Sequence, residues 1–387
     1  MNDRRIGIFA GGDWCHDNKV TIHAGSGALD SLSDFLPETG HVLLVTTKGS
    51  TSRGLTARVE ALCASRQRPS GKVSVVDEVL PNPDLLSLVS LTQRLASSEI
   101  DLIVGVGGGS VIDTAKVLSV ILPLQDASGT WTSRLLISGD QGWKAHIPVI
   151  AIPTTAGTGA EVTPFATVWD MQRCEKLSVH GALVAPMLAL LDPDLTLSLP
   201  HNETLYPGLD TISHAFESLW NRNRTPISAA HATQALSLAI NAMSRLAPDA
   251  IASEGLVRQA RADMLYASTL AGLAISRTKT ALAHAISYPF TAHFGVPHGL
   301  ACSFVLPELI VANRELLVRL TNRPDMLDSV LDFLKQIGLA KRLLSHLPPS
   351  WAKELSFENL DPDRAGNFSG SVNSSAADLV LKSISQD

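Results

Sequence analysis

The amino-terminal half of the chain alternates short apolar runs with stretches of helical periodicity. Leucines in Asp84–Ser98 recur at the spacing of one helical face, which predicts a helix there. Runs of apolar residues bounded by glycine, proline or polar clusters predict strands over His41–Thr46, Lys72–Val76, Asp101–Val106 and Ile147–Ile152. This alternation of strands and helices predicts an open, mostly parallel sheet with helices on both faces.

The pattern changes near Pro193, after which no further strand-like run occurs. Asp192-Pro193 and Leu199-Pro200 are turn or helix-start signals at this change. Beyond them, Ala- and Leu-rich stretches of nearly 3.6-residue period predict helices over Pro207–Trp220, Ser228–Arg245, Leu256–Ser276, Met326–Ile337 and Ala376–Ile384. The predicted fold class is therefore α/β plus all-α, with a sheet domain over 1–192 and an all-helical domain over 193–387.

Composition narrows the class of protein. The 387 residues are 45% hydrophobic and 18% charged, which provides for sizeable cores. A net charge of −6 without a clustered Lys/Arg face argues against nucleic-acid binding. The apolar runs are too short for a membrane span or a signal peptide. Four separated cysteines without a CxxC pair predict reduced thiols and a cytoplasmic location.

A glycine-rich loop follows the predicted strand Asp101–Val106. The segment Gly105–Lys116 reads GVGGGSVIDTAK and runs into a helical pattern. Glycines let backbone N–H groups approach an anion closely, and a helix amino terminus adds favourable partial charge, so the loop predicts a phosphate cradle. It is neither the dinucleotide fingerprint, because Ser110 replaces the last glycine, nor a Walker loop. A tight turn without a ligand is the alternative.

A second polar loop, Pro153–Thr163, reads PTTAGTGAEVT and also follows a predicted strand. Its hydroxyl and N–H groups suit the polar edge of a nucleotide, although on its own it is equally consistent with a solvated loop. Two such loops at the carboxyl ends of strands favour nucleotide binding, because open α/β sheets bind ligands there.

The second half of the chain contains an aspartate and three histidines that together suit a metal. Asp210 and His214 are four residues apart in a helical pattern and share a face. His284 and His298 follow later. One carboxylate with three imidazoles is compatible with Fe(II) or Zn(II), which can polarise a carbonyl oxygen. Because the chain has 12 histidines, spacing alone supports only the Asp210/His214 pair.

Taken in order, these motifs resemble the iron-containing (group III) alcohol dehydrogenases over nearly the whole chain. The resemblance also rests on His23–Leu32, Pro81-Asn82-Pro83, Asp192-Pro193 and Pro297-His298-Gly299. It implies the dehydroquinate synthase-like/iron alcohol dehydrogenase fold: a Rossmann-like NAD(P)-binding domain, then a helical metal-binding domain, with the active site in the cleft between them. A homodimer is implied as well.

The resemblance further implies roles for single residues. The implied metal ligands are Asp210, His214, His284 and His298, with Fe(II) favoured and Zn(II) as the alternative. The implied cofactor contacts are Gly107, Gly108, Gly109, Ser110 and Asp113 around the pyrophosphate, with Asn82, Thr154, Thr155, Thr158, Thr163 and Lys176 elsewhere.

Two departures from the family pattern leave alternatives open. Tyr288 stands where most members have a histidine, so the proton relay is left to the tyrosine hydroxyl, the cofactor ribose or water. The segment Val45–Lys48 lacks the aspartate that often accepts from the cofactor ribose in NAD-selective members, so both NADH and NADPH stay open.

Two cations, Arg277 and Lys279, precede His284. In a continuous helix Arg277 falls on nearly the same face as His284, and cations beside a metal require a compensating anion. They therefore predict an anionic substrate group held by charge-assisted hydrogen bonds, with ordinary surface charges as the alternative.

This region is most similar to the phosphonate-associated branch of the family, whose members reduce phosphonoacetaldehyde to 2-hydroxyethylphosphonate. The resemblance implies that reaction, with Arg277 and Lys279 holding the phosphonate and Tyr288 or solvent delivering the proton. An alcohol dehydrogenase for neutral alcohols, a dehydroquinate-synthase-like lyase and a non-enzymatic nucleotide-binding protein are the alternatives.

Overall fold

The computed structural model describes residues 14, 16–66, 71–126, 128–136, 141–247, 253–357, 360–372 and 374–385. The chain forms two compact units, one over Asn18–Leu199 and one over 200–387 that includes residues 14, 16 and 17. The boundary predicted after Asp192 lies ahead of the observed division. The reason is that residues beyond Asp192 are still attached to the first unit, because Leu195 packs against its core and Ser26 donates a hydrogen bond to Asp194.

The first unit is built on a six-stranded parallel sheet with the strand order β1-β8-β5-β4-β2-β3. An antiparallel hairpin of β6 and β7 stands apart from it. The strands are β1 Thr21–Ala24, β2 His41–Val45, β3 Lys72–Val76, β4 Leu102–Gly107, β5 Val149–Pro153, β6 Phe165–Asp170, β7 Glu175–His180 and β8 Leu188–Leu191. The four predicted strands and the parallel sheet are confirmed.

Helices cover both faces of this sheet. Leu44 packs in one core cluster with Val59, whereas its neighbour Leu43 packs in another with Val111. The helices of this unit are α1 Lys48–Ser52, α2 Leu55–Arg66, α3 Leu85–Leu95 and α4 Gly109–Ile121. Because α2 and α4 lie on opposite faces of the sheet, the connection after β2 crosses one face and the connection after the adjacent strand β4 crosses the other. The carboxyl ends of strands at such a point form a crevice for ligands.

The second unit consists of helices joined by loops and has no β-strand among its described residues, as predicted. Its three long helices, α5, α6 and α7, pack against one another. The helices are α5 His201–Leu219, α6 Pro226–Arg245, α7 Glu254–Thr278, α8 Leu282–Phe294, α9 His298–Ala301, α10 Leu306–Ala312, α11 Arg314–Thr321, α12 Pro324–Gln336, α13 Leu339–Leu344, α14 Trp351–Glu354, α15 Pro362–Ala365 and α16 Ala376–Ile384. Among the described residues, no helix has the length and apolarity needed to cross a membrane.

A buried lysine joins α4 to the start of the β6–β7 hairpin. Lys116 is fully buried, and its Nζ donates to Thr163 Oγ1 at 3.0 Å and to the Phe165 carbonyl at 2.8 Å. Burial lowers the pKa of Lys116 to about 8, although the charges of Asp113 and Glu161 oppose that shift. The lysine therefore holds the glycine-loop helix against the hairpin.

Replacing this lysine, as Lys116→Met, is expected to change how stability depends on pH. Between pH values of about 8 and 10.5 the unfolded chain binds more protons at this lysine than the folded chain does, so wild-type stability rises with pH there. The variant lacks that contribution, which amounts to about 3 kcal/mol. Urea unfolding across this pH range measures the difference. The exposed control Lys353→Met should follow the wild type, and a Lys116→Met profile parallel to both would contradict the expectation.

Candidate metal centre and cofactor loops

The four predicted metal ligands lie together in the helical unit. The Nε2 atoms of His214, His284 and His298 are 3.4, 3.3 and 4.0 Å from Oδ1 of Asp210. The rings of His214 and His284 stack with centroids 4.8 Å apart. One carboxylate oxygen thus faces three imidazole nitrogens.

Three helices position these side chains. Asp210 and His214 lie on successive turns of α5, while His284 lies in the first turn of α8 and His298 begins α9. Asp210, His214 and His284 are buried, whereas 26% of the His298 side chain is exposed. Within this unit, the cluster is closed around Asp210 and open at His298.

The close approach of α9 to α5 requires a glycine at position 299. A Cβ atom built on Gly299 would lie 1.8 Å from the Tyr206 carbonyl oxygen and 3.1 Å from the Asp210 nitrogen. No side chain fits in that space. The glycine of the Pro-His-Gly motif therefore lets the neighbouring His298 reach Asp210.

Glu217 is a further residue of the site that the sequence pattern did not indicate. It is fully buried, and its carboxylate accepts from His284 Nδ1 at 2.6 Å. The same carboxylate accepts from the backbone N–H groups of Ala281, Ala283 and His284 at 2.8, 2.6 and 3.3 Å. Because Ala281, at the start of α8, has no capping side chain, Glu217 caps this helix from α5. Its position one turn after His214 was the available signal.

Two buried carboxylates beside three imidazoles require compensating positive charge. Burial raises the pKa of Asp210, but the charges of His214, His298 and His284 outweigh burial and leave that pKa below its ordinary value. Burial likewise opposes the shift at Glu217, whose pKa is lowered by His284. Burial lowers the pKa of His284, yet Glu217 and Asp210 raise it to about 9. A divalent cation would supply the same compensation.

The donor atoms also fit a divalent ion. His284 Nε2 is buried and makes no hydrogen bond with the described residues, although it faces Asp210. Its other ring nitrogen is held by Glu217, which is the usual arrangement behind a metal-binding imidazole. One aspartate with three histidines suits Fe(II) or Zn(II). The residues present therefore fit a divalent ion, Fe(II) or Zn(II), as the sequence predicts.

Cys302 is a second neighbour of the site that the sequence pattern did not indicate. Its Sγ lies 3.5 Å from Asp210 Oδ1, and the donor atoms of Asp210, His284, His298 and Cys302 are all within 4.8 Å of one another. Burial raises the pKa of the Cys302 thiol well above its usual value, and the charge of Asp210 adds to the shift. The neutral thiol can thus donate to the aspartate.

The predicted cofactor loops meet at the carboxyl ends of β4 and β5 in the first unit. Gly108 precedes α4, which has no capping side chain. A Cβ atom on Gly109 would lie 2.6 Å from Thr158 Cγ2, and one on Gly108 would lie 3.0 Å from Thr155 Oγ1. The two loops are therefore in contact. This close contact is possible because glycine has no side chain.

The Pro81-Asn82-Pro83 segment adjoins the same helix start. The Asn82 N–H donates to Ser110 Oγ at 3.1 Å, and Asn82 has a positive φ of 58°. The segment lines a cavity of about 650 Å³, which Thr114 of α4 also lines. The structure thus brings Asn82 to the glycine loop, and its contact with a cofactor stays a prediction.

Other predicted cofactor contacts have partners within the protein. Asp113 Oδ2 accepts from the Thr167 N–H at 2.9 Å, and Thr163 receives the bond from Lys116. The Thr154 N–H donates to the Gly107 carbonyl at 2.9 Å. These bonds indicate that Asp113 and Thr163 help to hold the β6–β7 hairpin in place. Their contact with a cofactor stays a prediction, as does that of the half-buried Lys176.

The continuous helix assumed for the two cations is wrong. α7 ends at Thr278, Lys279 adopts a positive φ of 61°, and α8 begins separately at Leu282. Arg277 is therefore not on one helical face with His284, and both cations are exposed. Tyr288, by contrast, lies one turn after His284 on α8 and is half-buried.

Removing the charge of Glu217, as Glu217→Gln, is expected to weaken metal binding about 10- to 100-fold. An amide has one acceptor oxygen, so it cannot hold the imidazole and cap α8 as the carboxylate does. Competition titrations with Fe(II) and Zn(II) measure the affinity. The control Glu203→Gln changes an exposed residue of the same helix and should bind metal as the wild type does. Equal affinity in all three proteins would contradict the role given to Glu217.

Comparisons with known proteins agree on one family. A family model described as iron-containing alcohol dehydrogenase matches residues 20–193, and its C-terminal counterpart matches residues 204–344. Long-chain-alcohol dehydrogenase 1 of Geobacillus thermodenitrificans is 34% identical over 288 residues, which cover 74% of this chain and 70% of that protein. Phosphonoacetaldehyde reductase of Streptomyces viridochromogenes is 35% identical over 251 residues, 64% of this chain and 61% of the relative.

A solved structure shows the same fold. The crystal structure of sulfoacetaldehyde reductase from Bifidobacterium kashiwanohense in complex with NAD+ aligns with a TM-score of 0.81 at 26% identity. The alignment covers 97% of this chain and 100% of that one. The expected combination of a Rossmann-like unit and a helical unit is thereby confirmed.

Proposed function

The chain belongs to the iron-containing alcohol dehydrogenase family, and from that membership we propose that it catalyses the metal-dependent reduction of a small anionic aldehyde by NAD(P)H. Phosphonoacetaldehyde, which would yield 2-hydroxyethylphosphonate, is the lead substrate. The observation that carries the proposal is the convergence of three imidazole Nε2 atoms within 4.0 Å of Asp210 Oδ1. A nucleotide-binding protein without catalysis has no need of that buried cluster.

The names of two relatives support the substrate class. One relative is a phosphonoacetaldehyde reductase and another a sulfoacetaldehyde reductase crystallised with NAD+. Both names denote acetaldehyde carrying a strongly acidic group. The similarity to a long-chain-alcohol dehydrogenase supports the alternative of an uncharged substrate.

The chain's own residues have distinct parts in this reaction. A divalent ion supplies Lewis acidity toward a carbonyl oxygen when bound, and a reduced nicotinamide supplies hydride. Asp210, His214, His284 and His298 would hold the ion. Glu217 fixes the His284 ring through Nδ1, so that Nε2 faces the other donors. The glycine loop before α4 would bind the cofactor pyrophosphate through backbone N–H groups.

Tyr288 is the proposed proton donor to the product oxygen. It is four residues beyond His284 on α8, so the two side chains share a helical face. Its phenol carries one O–H that can be donated and then replenished from solvent. Solvent alone, or the cofactor ribose, is the alternative route.

Steady-state assays of the metal-loaded protein test this proposal. Phosphonoacetaldehyde and propanal are each supplied with NADH or NADPH, and cofactor oxidation is followed by absorbance. We expect kcat/KM for the anionic aldehyde to exceed that for propanal at least about 10-fold, because charge-assisted hydrogen bonds act on one substrate only. Equal values would favour a neutral-alcohol dehydrogenase. The absence of oxidation with every aldehyde would overturn the proposed reaction.

A further inference from the structure

We propose that Arg364 binds the acidic group of the substrate through the guanidinium that it presents to Tyr288 on the metal-ligand helix α8. The inference rests on the proposed function and replaces Arg277 and Lys279 as the cations of the substrate site. Those two residues are exposed and lie outside α8 or any helix continuous with it. Arg364 comes instead from α15, which packs against α8.

A buried asparagine fixes the segment that carries Arg364. Asn367 is 4% exposed, and its Nδ2 donates to the Thr280 carbonyl at 3.0 Å and to the Asp363 carbonyl at 2.8 Å. Its own carbonyl accepts from the Arg222 N–H at 2.9 Å. Thr280 lies just before α8, so these bonds hold the segment at the start of the helix that carries His284. The backbone of the segment that carries Arg364 is thereby held beside the start of α8.

The contact between Arg364 and Tyr288 places a positive charge one helical turn from a metal ligand. Arg364 lies on α15, which packs against α8, and its guanidinium interacts with Tyr288 of that helix. Tyr288 and His284 are four residues apart on α8, so their Cβ atoms are about 6 Å from each other. Burial lowers the pKa of Arg364, but Tyr288, Asp361 and Asp363 outweigh burial and raise it, so the guanidinium stays charged.

The guanidinium keeps donors for a ligand. It has five N–H donors, and one phenol oxygen cannot engage them all. The carboxylate of Asp361 caps α15, because its Oδ1 accepts from the Asp363 N–H at 2.9 Å. A planar guanidinium binds the oxygens of a phosphonate or sulfonate in pairs, which fixes both position and orientation. In phosphonoacetaldehyde a single carbon separates the acid group from the carbonyl. A cation one helical turn from a metal ligand is therefore suitably placed for the acid group of a substrate whose carbonyl lies at the metal site.

Substrate discrimination in Arg364 variants tests the inference. The readout is the ratio of kcat/KM for phosphonoacetaldehyde to kcat/KM for propanal. We expect Arg364→Met to lower this ratio about 10- to 100-fold, mainly through the KM of the anionic substrate. Arg364→Lys keeps the charge without the paired donors and should lower the ratio by a smaller factor. Arg277→Met, Lys279→Met and the exposed control Arg323→Met should each leave it within about 3-fold of wild type.

A binding measurement avoids dependence on turnover. Calorimetric titration of the metal-loaded protein with ethylphosphonate, an unreactive analogue, should show about 10-fold weaker binding to Arg364→Met and wild-type binding to Arg323→Met. If Arg364→Met does not fold, Arg364→Lys gives the decisive comparison. An unchanged ratio and unchanged affinity in the folded Arg364 variants would overturn the inference, as would a loss seen with Arg277→Met or Lys279→Met instead.

The two proposals fail differently. Wild type that oxidises NAD(P)H with propanal but does not prefer the anionic aldehyde would refute the proposed substrate class. Wild type that prefers the anionic aldehyde, with Arg364 variants that keep the same preference, would refute only the assignment of Arg364.

Discussion

Aldehyde reduction is expected to fall at least about 10³-fold in a His284→Ala variant, and the protein should lose its bound metal. The substitution removes the nitrogen that faces Asp210 at 3.3 Å and leaves the Glu217 carboxylate without its imidazole partner. A metal ion acting as Lewis acid is worth several kcal/mol of transition-state stabilisation, which sets the size of the loss.

Metal analysis of the purified protein should accompany the assay of His284→Ala. The exposed His346 lies in the same unit, and a His346→Ala control should keep both metal and activity. Full metal occupancy in His284→Ala would show that this imidazole is not a ligand. Full activity with lost metal would contradict the proposed chemistry.

Gly299→Ala should be almost as damaging, although it changes no donor atom. The added methyl would lie 1.8 Å from the Tyr206 carbonyl oxygen, so α9 must move away from α5. Overpacking of this kind costs about 3 kcal/mol or more of folding free energy when backbone has to shift. The movement separates His298 from Asp210, so we expect metal affinity to fall by more than about 100-fold.

Urea unfolding and metal titration together distinguish this steric effect from a general intolerance of alanine. Gly255 lies in α7, and a methyl group added there would have no neighbouring atom within 4 Å, so Gly255→Ala should be neutral or stabilising by up to about 1 kcal/mol. Wild-type metal affinity in a folded Gly299→Ala protein would show that the contact of α9 with α5 does not position His298.

Much of the sheet could be predicted because its central strands are apolar runs between breakers. β2, β4 and β5 are buried along their whole length, which gives an uninterrupted apolar signal. β1 was not predicted because all four of its residues are exposed. β8 was not predicted because it is only four residues long. The β6–β7 hairpin was missed since many of its residues are only half-buried, which gives a weak apolar signal.

The candidate site was predictable where spacing is local or a motif is distinctive. Asp210 and His214 share a helical face, so their sequence spacing shows their proximity. Glu217 contacts His284 and Cys302 contacts Asp210. Each partner is more than 60 residues away in the sequence, so no local pattern predicts these contacts. The break at Lys279 was missed because no glycine or proline marks it, and the residue adopts its positive φ under tertiary constraint.

Because Glu217 holds both the His284 ring and the first turn of α8, we expect metal supply to affect how long each molecule survives. An ion present at 1,000 times its dissociation constant adds about 4 kcal/mol to the stability of the folded state. We expect molecules made when the metal is scarce to lack that stabilisation and to open more often where α8 starts, which would expose them to proteases. Abundance of the enzyme should then follow the metal status of its surroundings without any dedicated regulator.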